Sequence, residues 1–435
     1  MQRKTARPRL VQAMMDALSL PDLRHKILFT LGILAVFRFL TNVPLPGVDI
    51  TALEELLAGN LLFGMIDLFS GGAMATFSIV AIGIYPYITS SIIMQLLTPV
   101  IPRLQALSQE GELGRQRINR ITHLLTVPLA AIQGYAMFTI LRSQGVTVEP
   151  LGDLTMASII VTMVAGTIFL VWLGELITER GIGNGISIII FAGIVASLPE
   201  ILGRGIVAAQ EGQPGGLVAF VILSLATLVL IVIFVEAHRR IPVQYARSTF
   251  RSGRMYRQSG STYIPLRVNT AGMIPIIFAI ALMQLPATIS SFLMGPEQNP
   301  NFWNTIYNTF QANTLLYQGA YFVLVIGFAF FYTMVIFEQM NLPQTLQQQG
   351  GFIPGVRPGK ATADYLNRII RRITFGGALF LALVAIMPFI AAQVTRVGVL
   401  TLQSTAMLIA VGVALDTMKQ LEAQLTMRRY EGFLK

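Results

Sequence analysis

The sequence predicts an all-α membrane protein that crosses the bilayer ten times, and three observations carry that expectation. Long apolar segments recur along the whole chain, charge is scarce, and the basic residues fall on alternate connections. Of 435 residues, 54% are hydrophobic and only 12% charged, whereas soluble domains carry about 25% charged residues. A hydrocarbon core about 30 Å thick is crossed by about 20 apolar residues in a helix. Ten such segments use about half the chain and leave no room for a large soluble domain.

The amino end is basic, with Arg3, Lys4, Arg7, Arg9, Arg24 and Lys26. A first span is expected from Ile27 to Leu40. The Pro-Leu-Pro-Gly run that follows it shows no small-residue cleavage pattern, so the segment should stay attached. Further spans are expected near Phe77–Leu97, Ile121–Ile140, Leu154–Ile177 and Ile186–Leu202. Five more follow near Leu217–Val235, Ala271–Leu293, Tyr317–Phe337, Ile373–Ala392 and Val397–Leu415. The organisation reads as an amino-terminal segment (1–26), a first half of five helices (27–202), a connection (203–216), a second half (217–415) and a tail (416–435). Five spans per half would place the halves in opposite orientations, as in inverted repeats around a central site.

Orientation follows from the loops. Arg103, Arg115, Arg117, Arg120 and Arg180 lie on even connections, as do the arginines of loops 236–268 and 338–372. The other side keeps Arg142, Arg204, Arg396 and Arg38. Lys and Arg are retained on the cytoplasmic side, so both termini and both long loops are expected there.

Two stretches depart from a plain bundle. Leu61 to Met74 reads LLFGMIDLFSGGAM, too short to span and broken by Gly71-Gly72. Taken alone it fits a re-entrant half-helix or an interfacial helix equally well. In the loop from Arg239 to Val268, Val243, Tyr245, Met255, Tyr256, Tyr263 and Ile264 stand among arginines, with Ser252-Gly253 and Ser259-Gly260 as turn signals. A β-hairpin outside the membrane is expected. Arg368 to Arg372 form a milder cluster suited to anionic lipid.

The residues exclude several chemistries. With no cysteine, thiol catalysis and disulfides are ruled out. His25, His123 and His238 lie far apart, without metal-ligand spacing. Ionisable residues at membrane depth mark transport or catalytic sites, yet Arg38, Glu175, Glu179, Glu236, Glu338 and Asp416 all sit near span ends. The chain is therefore expected to be no enzyme and to need no cofactor. Thr89, Ser90, Ser91 and Gln95 on the second span, and Asn269, Thr270 and Gln284 at the seventh, suit helix–helix hydrogen bonds or a polar seam. Gly181 to Gly185 reads as a tight turn opening the fifth span; no strand precedes it, as a phosphate loop would need.

Several motifs together carry a resemblance over essentially the full length. They are Phe69-Ser70-Gly71-Gly72-Ala73, Gly83-Ile84-Tyr85-Pro86-Tyr87-Ile88 and Trp172-Leu173-Gly174-Glu175, then the run from Ile177 to Ala196 and GGFIPGVRPG from Gly350 to Gly359. The chain resembles the SecY family, the pore subunits of the bacterial Sec translocon. The resemblance implies an hourglass of two inverted five-helix halves that opens sideways into lipid. It implies a plug at about Leu61 to Met74, including Met65, Asp67, Phe69, Ser70, Gly71 and Gly72. It implies a waist of aliphatic side chains carried onto Ile84, Ile88, Ile186, Ile190, Ile277 and Ile409. The i, i+4 spacing of Ile84/Ile88 and of Ile186/Ile190 puts each pair on one helix face.

A lateral gate is implied between the second and seventh spans, around Thr89, Ser91, Gln95, Asn269, Thr270 and Leu285. Docking of the SecA motor ATPase and of the ribosome, including its RNA, is implied at Arg239, Arg240, Arg247, Arg251, Arg254, Arg357 and Tyr430. Other implied partners are SecE-like and SecG-like single-span subunits, translocating polypeptides with their signal sequences, and membrane lipids. The implied location is the bacterial inner membrane. One departure is that Gln347-Gln348-Gln349 stand where family members often carry a Lys-Lys pair. The implied function is a passive protein-conducting channel; the alternative is a secondary transporter of a small solute built on an inverted repeat.

Overall fold

A computed structural model describes residues 20–59, 67, 70–148, 152–210, 214–251, 254–272, 274–293, 301–310, 314–395 and 403–431. Helices form in each apolar stretch that the sequence marks out. Helix α1 (Pro21–Thr41) opens with proline in its first turn, where the missing N–H has no helical partner to lose. Asn42 closes it, its side-chain amide donating to the Arg38 carbonyl at 2.8 Å. A short helix α2 (Ile50–Gly59) follows.

The second apolar stretch differs from expectation. Helix α3 is confined to Tyr85–Leu97, and residues 71–84 run as successive turns. Gly83 has φ +63°, which stops a right-handed helix from continuing backwards, and Pro86 occupies the first turn. Of the expected half-helix at 61–74, residues 61–66, 68 and 69 lie outside the described residues, and 71–74 belong to these turns.

The chain continues through α4 (Pro102–Gln109), α5 (Glu112–Ser143), α6 (Asp153–Arg180), α7 (Gly185–Gln210) and α8 (Pro214–Glu236). Helices α6 and α7 pack without room for a methyl group. A Cβ on Gly185 would fall 1.8 Å from the Gly174 carbonyl oxygen, the close backbone approach that small residues allow between membrane helices. The turn before α7 uses Gly183 at φ +81°, and Asn184 Oδ1 accepts from the Ser187 amide.

Strands β1 (His238–Arg251) and β2 (Arg254–Arg267) form an antiparallel hairpin, with Arg251 paired to Arg254. Ser259-Gly260, a turn signal in the sequence, lies inside β2 opposite Tyr245 and Ala246. The strands already pair continuously up to Arg251 and Arg254, so no turn at 259–260 is needed. Next come α9 (Ile274–Leu293), α10 (Phe302–Thr309), α11 (Leu315–Met340), α12 (Leu342–Gln348), β3 (Gly351–Phe352), α13 (Lys360–Thr395) and α14 (Gln403–Glu431). Strand β3 adds to β1, giving the order β2-β1-β3.

Among the described residues, four helical stretches are long and apolar enough to cross a membrane by length and composition: Glu112–Arg142, Asp153–Arg180, Leu315–Gln348 and Lys360–Met387. Shorter apolar stretches occur at Gly185–Pro199, Leu225–Glu236 and Ile274–Met283. One buried core joins α8, α9, α11, α13 and α14 around Tyr317, Tyr321 and Phe389. A second joins α1, α6, α7 and α14 with the turns before α3. A third packs the sheet on α12 and α13 through Val243, Leu346 and Leu366. Ion pairs from Lys419 to Glu236 (2.6 Å) and Arg267 to Asp416 (3.4 Å) tie the hairpin base to α14.

Candidate functional site

The six isoleucines onto which the resemblance carries a waist come from α3 and the residue before it, α7, α9 and α14, and all belong to the core that α14 shares with α1, α6 and α7. Ile84, Ile190 and Ile409 are buried within it, and Ile88, Ile186 and Ile277 pack against them half-buried. Ile84 stands immediately before α3, Ile277 is on α9, and Ile409 is on α14 with none of its surface exposed. The cluster therefore draws on both halves of the chain. Aliphatic side chains in mutual contact offer no hydrogen bond to water or to a passing solute, so the arrangement is chemically indifferent.

Beside it, α3 and α9 meet in a small apolar seam. Ile92, Phe278 and Ala281 are buried there, flanked by Tyr85, Ile88, Leu96 and Ile274. The polar residues of α3 lie along this helix. Thr89 Oγ1 donates to the Tyr85 carbonyl at 3.0 Å, and Gln95 Nε2 donates to Ser91 Oγ at 3.1 Å. Sequence reasoning missed Gln133 on α5, whose amide reaches Thr89 Oγ1 at 3.5 Å. A lone glutamine within an apolar span was the signal available. The Oε1 atoms of Gln95 and Gln133 and the Oδ1 of Asn269 are buried without a hydrogen-bond partner, an expense for a fixed structure that is relieved wherever water enters. Asn269 and Thr270 are not on α9 itself. They precede it, and Thr270 Oγ1 donates to the Arg267 carbonyl at the hairpin base. The side chain of Leu285 lies outside the described residues.

Of the residues expected to form a plug, Met65 and Phe69 lie outside the described residues. Asp67 Oδ1 accepts from the Ala75 amide at 2.8 Å, and its carbonyl accepts from Ser70 Oγ and the Gly72 amide. Ser70 is buried, and Gly71 and Gly72 take φ +75° and +83°. A Cβ on Gly71 would lie 2.8 Å from Gly193 Cα of α7.

The arginines expected to dock partners divide. Arg239 and Arg240 are exposed at the start of β1, with Arg240 over the Tyr263 ring at 4.9 Å. Arg247, Arg251 and Arg254 lie toward the far end of the hairpin by register, and their side chains are outside the described residues, as is that of Tyr430. Arg357 is exposed in the turns after β3. Because β3 pairs with β1 at Gln244 and Tyr245, the Arg357 loop and the hairpin share one sheet, a proximity invisible in the sequence.

Three of the ionisable residues near helix ends, Glu175, Glu236 and Asp416, have structural partners. His123 Nε2 lies 3.2 Å from Glu175 Oε1, within ion-pair distance but not aligned for a hydrogen bond, and Asn119 Nδ2 donates to the same oxygen at 3.2 Å. Glu236 and Asp416 are held in the ion pairs to α14 and β2.

The SecY family model matches residues 78–418. The chain is 43% identical over 443 residues to the protein translocase subunit SecY of Streptomyces scabiei, covering 98% of this chain and 100% of that one. It is 43% identical to the same subunit of Thermus thermophilus and 40% identical to that of Thermotoga maritima, each covering 98% of both chains. Among solved structures it is similar to a protein conducting channel, with TM-score 0.62 at 18% identity and 92% of each chain covered. It is also similar to Sec61 in the canine ribosome-channel complex, with TM-score 0.60 at 18% identity and the same coverage.

Proposed function

The chain belongs to the SecY family, and from that premise we propose that it is the pore subunit of a protein-conducting channel. It passes unfolded secretory polypeptides across the bacterial inner membrane and releases hydrophobic segments sideways into lipid. The observation that carries this reading is the gathering of Ile84, Ile88, Ile186, Ile190, Ile277 and Ile409 into one apolar cluster drawn from both halves. A translocating chain presents every kind of side chain, so its conduit must bind none of them. An aliphatic constriction meets that demand, and when closed it dewets and holds back ions.

Ten spans in two inverted halves of five frame this waist, with the 61–74 segment as its plug on the far side from the hairpin. The α3–α9 seam is the lateral gate. Its contact area is small and apolar, so a signal segment can replace one helix face with another while burial of its own surface in lipid contributes about 25 cal/mol per Å². The sheet and the Arg357 loop face the cytoplasm with both termini. Their exposed arginines suit the acidic surface of a SecA-type motor or the phosphates of ribosomal RNA. SecE-like and SecG-like subunits complete the complex. The chain carries no chemistry of its own, and energy comes from the partners. The comparisons give no support to a small-solute transporter.

The test is reconstitution. Proteoliposomes holding the chain with its single-span partners should import an unfolded, signal-bearing protein only when motor and ATP are added, and should hydrolyse no ATP without the motor. Saturable uptake of a small solute by the chain alone would overturn the proposal.

A further inference from the structure

The connection between α9 and α11 carries a helix that the proposed channel does not use. From Val268 to Phe337 the sequence holds one charged side chain, Glu297, and the polar positions of α10 are Asn and Thr. Phe302, Trp303, Ile306, Tyr307 and Phe310 recur at one-turn spacing, so α10 presents an aromatic face and a neutral polar face. Its ends are satisfied locally. The Asn301 amide donates to Asn304 Oδ1 at 3.2 Å, and Thr314 Oγ1 donates to the Thr309 carbonyl at 2.6 Å. Paired ends suit a helix to a place where water is scarce.

The packing fixes its position. Helix α9 begins just after the hairpin, α10 lies against α9, and the Thr314 bond ties the last turn of α10 to the start of α11. Phe310 reaches the core around Tyr317 and Phe389. The rest of the aromatic face is open: Phe302 is 72% exposed, edge-on to Trp303 at 5.9 Å, and Trp303, Ile306 and Tyr307 are half-buried. Leu293 at the end of α9 and Leu315 at the start of α11 are exposed as well, and Leu315 opens a stretch long and apolar enough to cross a membrane. The open face of α10 therefore continues the surface that α9 and α11 turn to lipid.

Charge and area say what covers it. Among its described residues α10 has no ion to offer an acidic or basic partner. Phe302 and the open parts of its three neighbours amount to roughly 400 Å², about half of the ~800 Å² that each side of a stable protein interface buries. Trp and Tyr gather at the membrane–water boundary, where the ring meets acyl chains and its polar edge stays wet.

We propose that α10 is an interfacial anchor: its Phe302–Trp303–Ile306–Tyr307 face sits at the headgroup–acyl boundary of uncharged phospholipid, at the end of α9 away from the hairpin, and restrains the sideways travel of α9. The restraint rests on the reading of the α3–α9 seam as the lateral gate; the lipid contact does not.

Trp172 and Trp303 are the two tryptophans of the chain. In the complete complex, Trp303 emission is isolated as the difference between Trp172→Phe and Trp172→Phe/Trp303→Phe samples. The vesicles are phosphatidylcholine brominated near the headgroup or near the acyl-chain end. Headgroup-proximal bromine should quench Trp303 about twofold or more, and chain-end bromine and aqueous iodide clearly less. Stronger quenching by iodide places the face in water, stronger quenching by chain-end bromine places it in the bilayer core, and quenching by none of the three places it under protein; each overturns the anchor. Phe302→Asn should roughly halve the headgroup-proximal quenching and raise export of a substrate with a weakened signal about threefold, while Phe302→Leu stays near the parent. Weak-signal export that stays at the parent level in Phe302→Asn overturns the restraint. Transport through an oxidised Ile92→Cys/Phe278→Cys pair refutes the gate reading instead, and leaves the quenching pattern as it was.

Discussion

Replacing Ile409 with asparagine puts the waist to its sharpest test. Ile409 is fully buried among the aliphatic residues of the central cluster. In the closed arrangement the substitution forfeits apolar burial of about 1.5–3 kcal/mol and leaves an amide without a partner, a further cost of about 1–3 kcal/mol. The aqueous transfer value applies because the competing state, an open waist, is filled with water rather than lipid. In that state the amide is hydrated and both costs disappear. Allowing for relaxation, a net shift of about 2–4 kcal/mol against closure corresponds to a factor of roughly 30 to 1,000 in the closed-to-open ratio. Resting single-channel conductance in planar bilayers reads this directly, as the fraction of time spent conducting without substrate. Ile409→Val removes one methylene, costs about 0.5–1.5 kcal/mol, brings no polar group, and should stay near the parent. An asparagine variant that folds, transports and seals as well as the parent would refute the reasoning, because the cluster would then not be the seal.

Two further outcomes follow from the packing. Gly185→Ala places a methyl group 1.8 Å from the Gly174 carbonyl oxygen and should cost about 3 kcal/mol, lowering the melting temperature of the detergent-solubilised complex; Gly376→Ala, with open space at its Cβ, should leave it unchanged, and equal melting of the two variants would contradict the α6–α7 contact. A cysteine pair replacing Ile92 and Phe278, which meet in the α3–α9 seam, should block transport when oxidised and restore it on reduction, whereas transport that continues through the locked seam would remove it as the gate.

Much of this architecture was legible because membrane helices announce themselves locally. Hydropathy located the apolar segments, and turn signals with apolar residues among arginines pointed to a hairpin, which forms between His238 and Arg267. The i, i+4 isoleucine pairs placed Ile84 with Ile88 and Ile186 with Ile190, but periodicity cannot tell a waist from a lipid face. The resemblance supplied that choice, and the packing brought the six together. What escaped was set by long-range contact. The late start of α3 depends on the φ of Gly83, which no hydropathy window sees. The union of the Arg357 loop with the hairpin rests on a two-residue strand. The Arg38 bond to Gly71 spans 33 residues, and Gln133 meets Thr89 across two helices. Asn269 and Thr270 read as part of the seventh span, yet they belong to the hairpin base, because the Val268 amide donates to the Ala237 carbonyl and ends the hairpin only there.

The most direct measurement places a photo-crosslinking residue at Ile84 or Ile277, and in separate controls at Val161 or Leu31, which are 66% and 56% exposed on helix surfaces. A radiolabelled secretory protein is then stalled partway through the complete complex in membranes. The account predicts adducts between the stalled chain and both waist positions, with none at Val161 or Leu31. Crosslinking at the exposed positions while Ile84 and Ile277 stay silent would contradict it and place the polypeptide's path outside the aliphatic cluster.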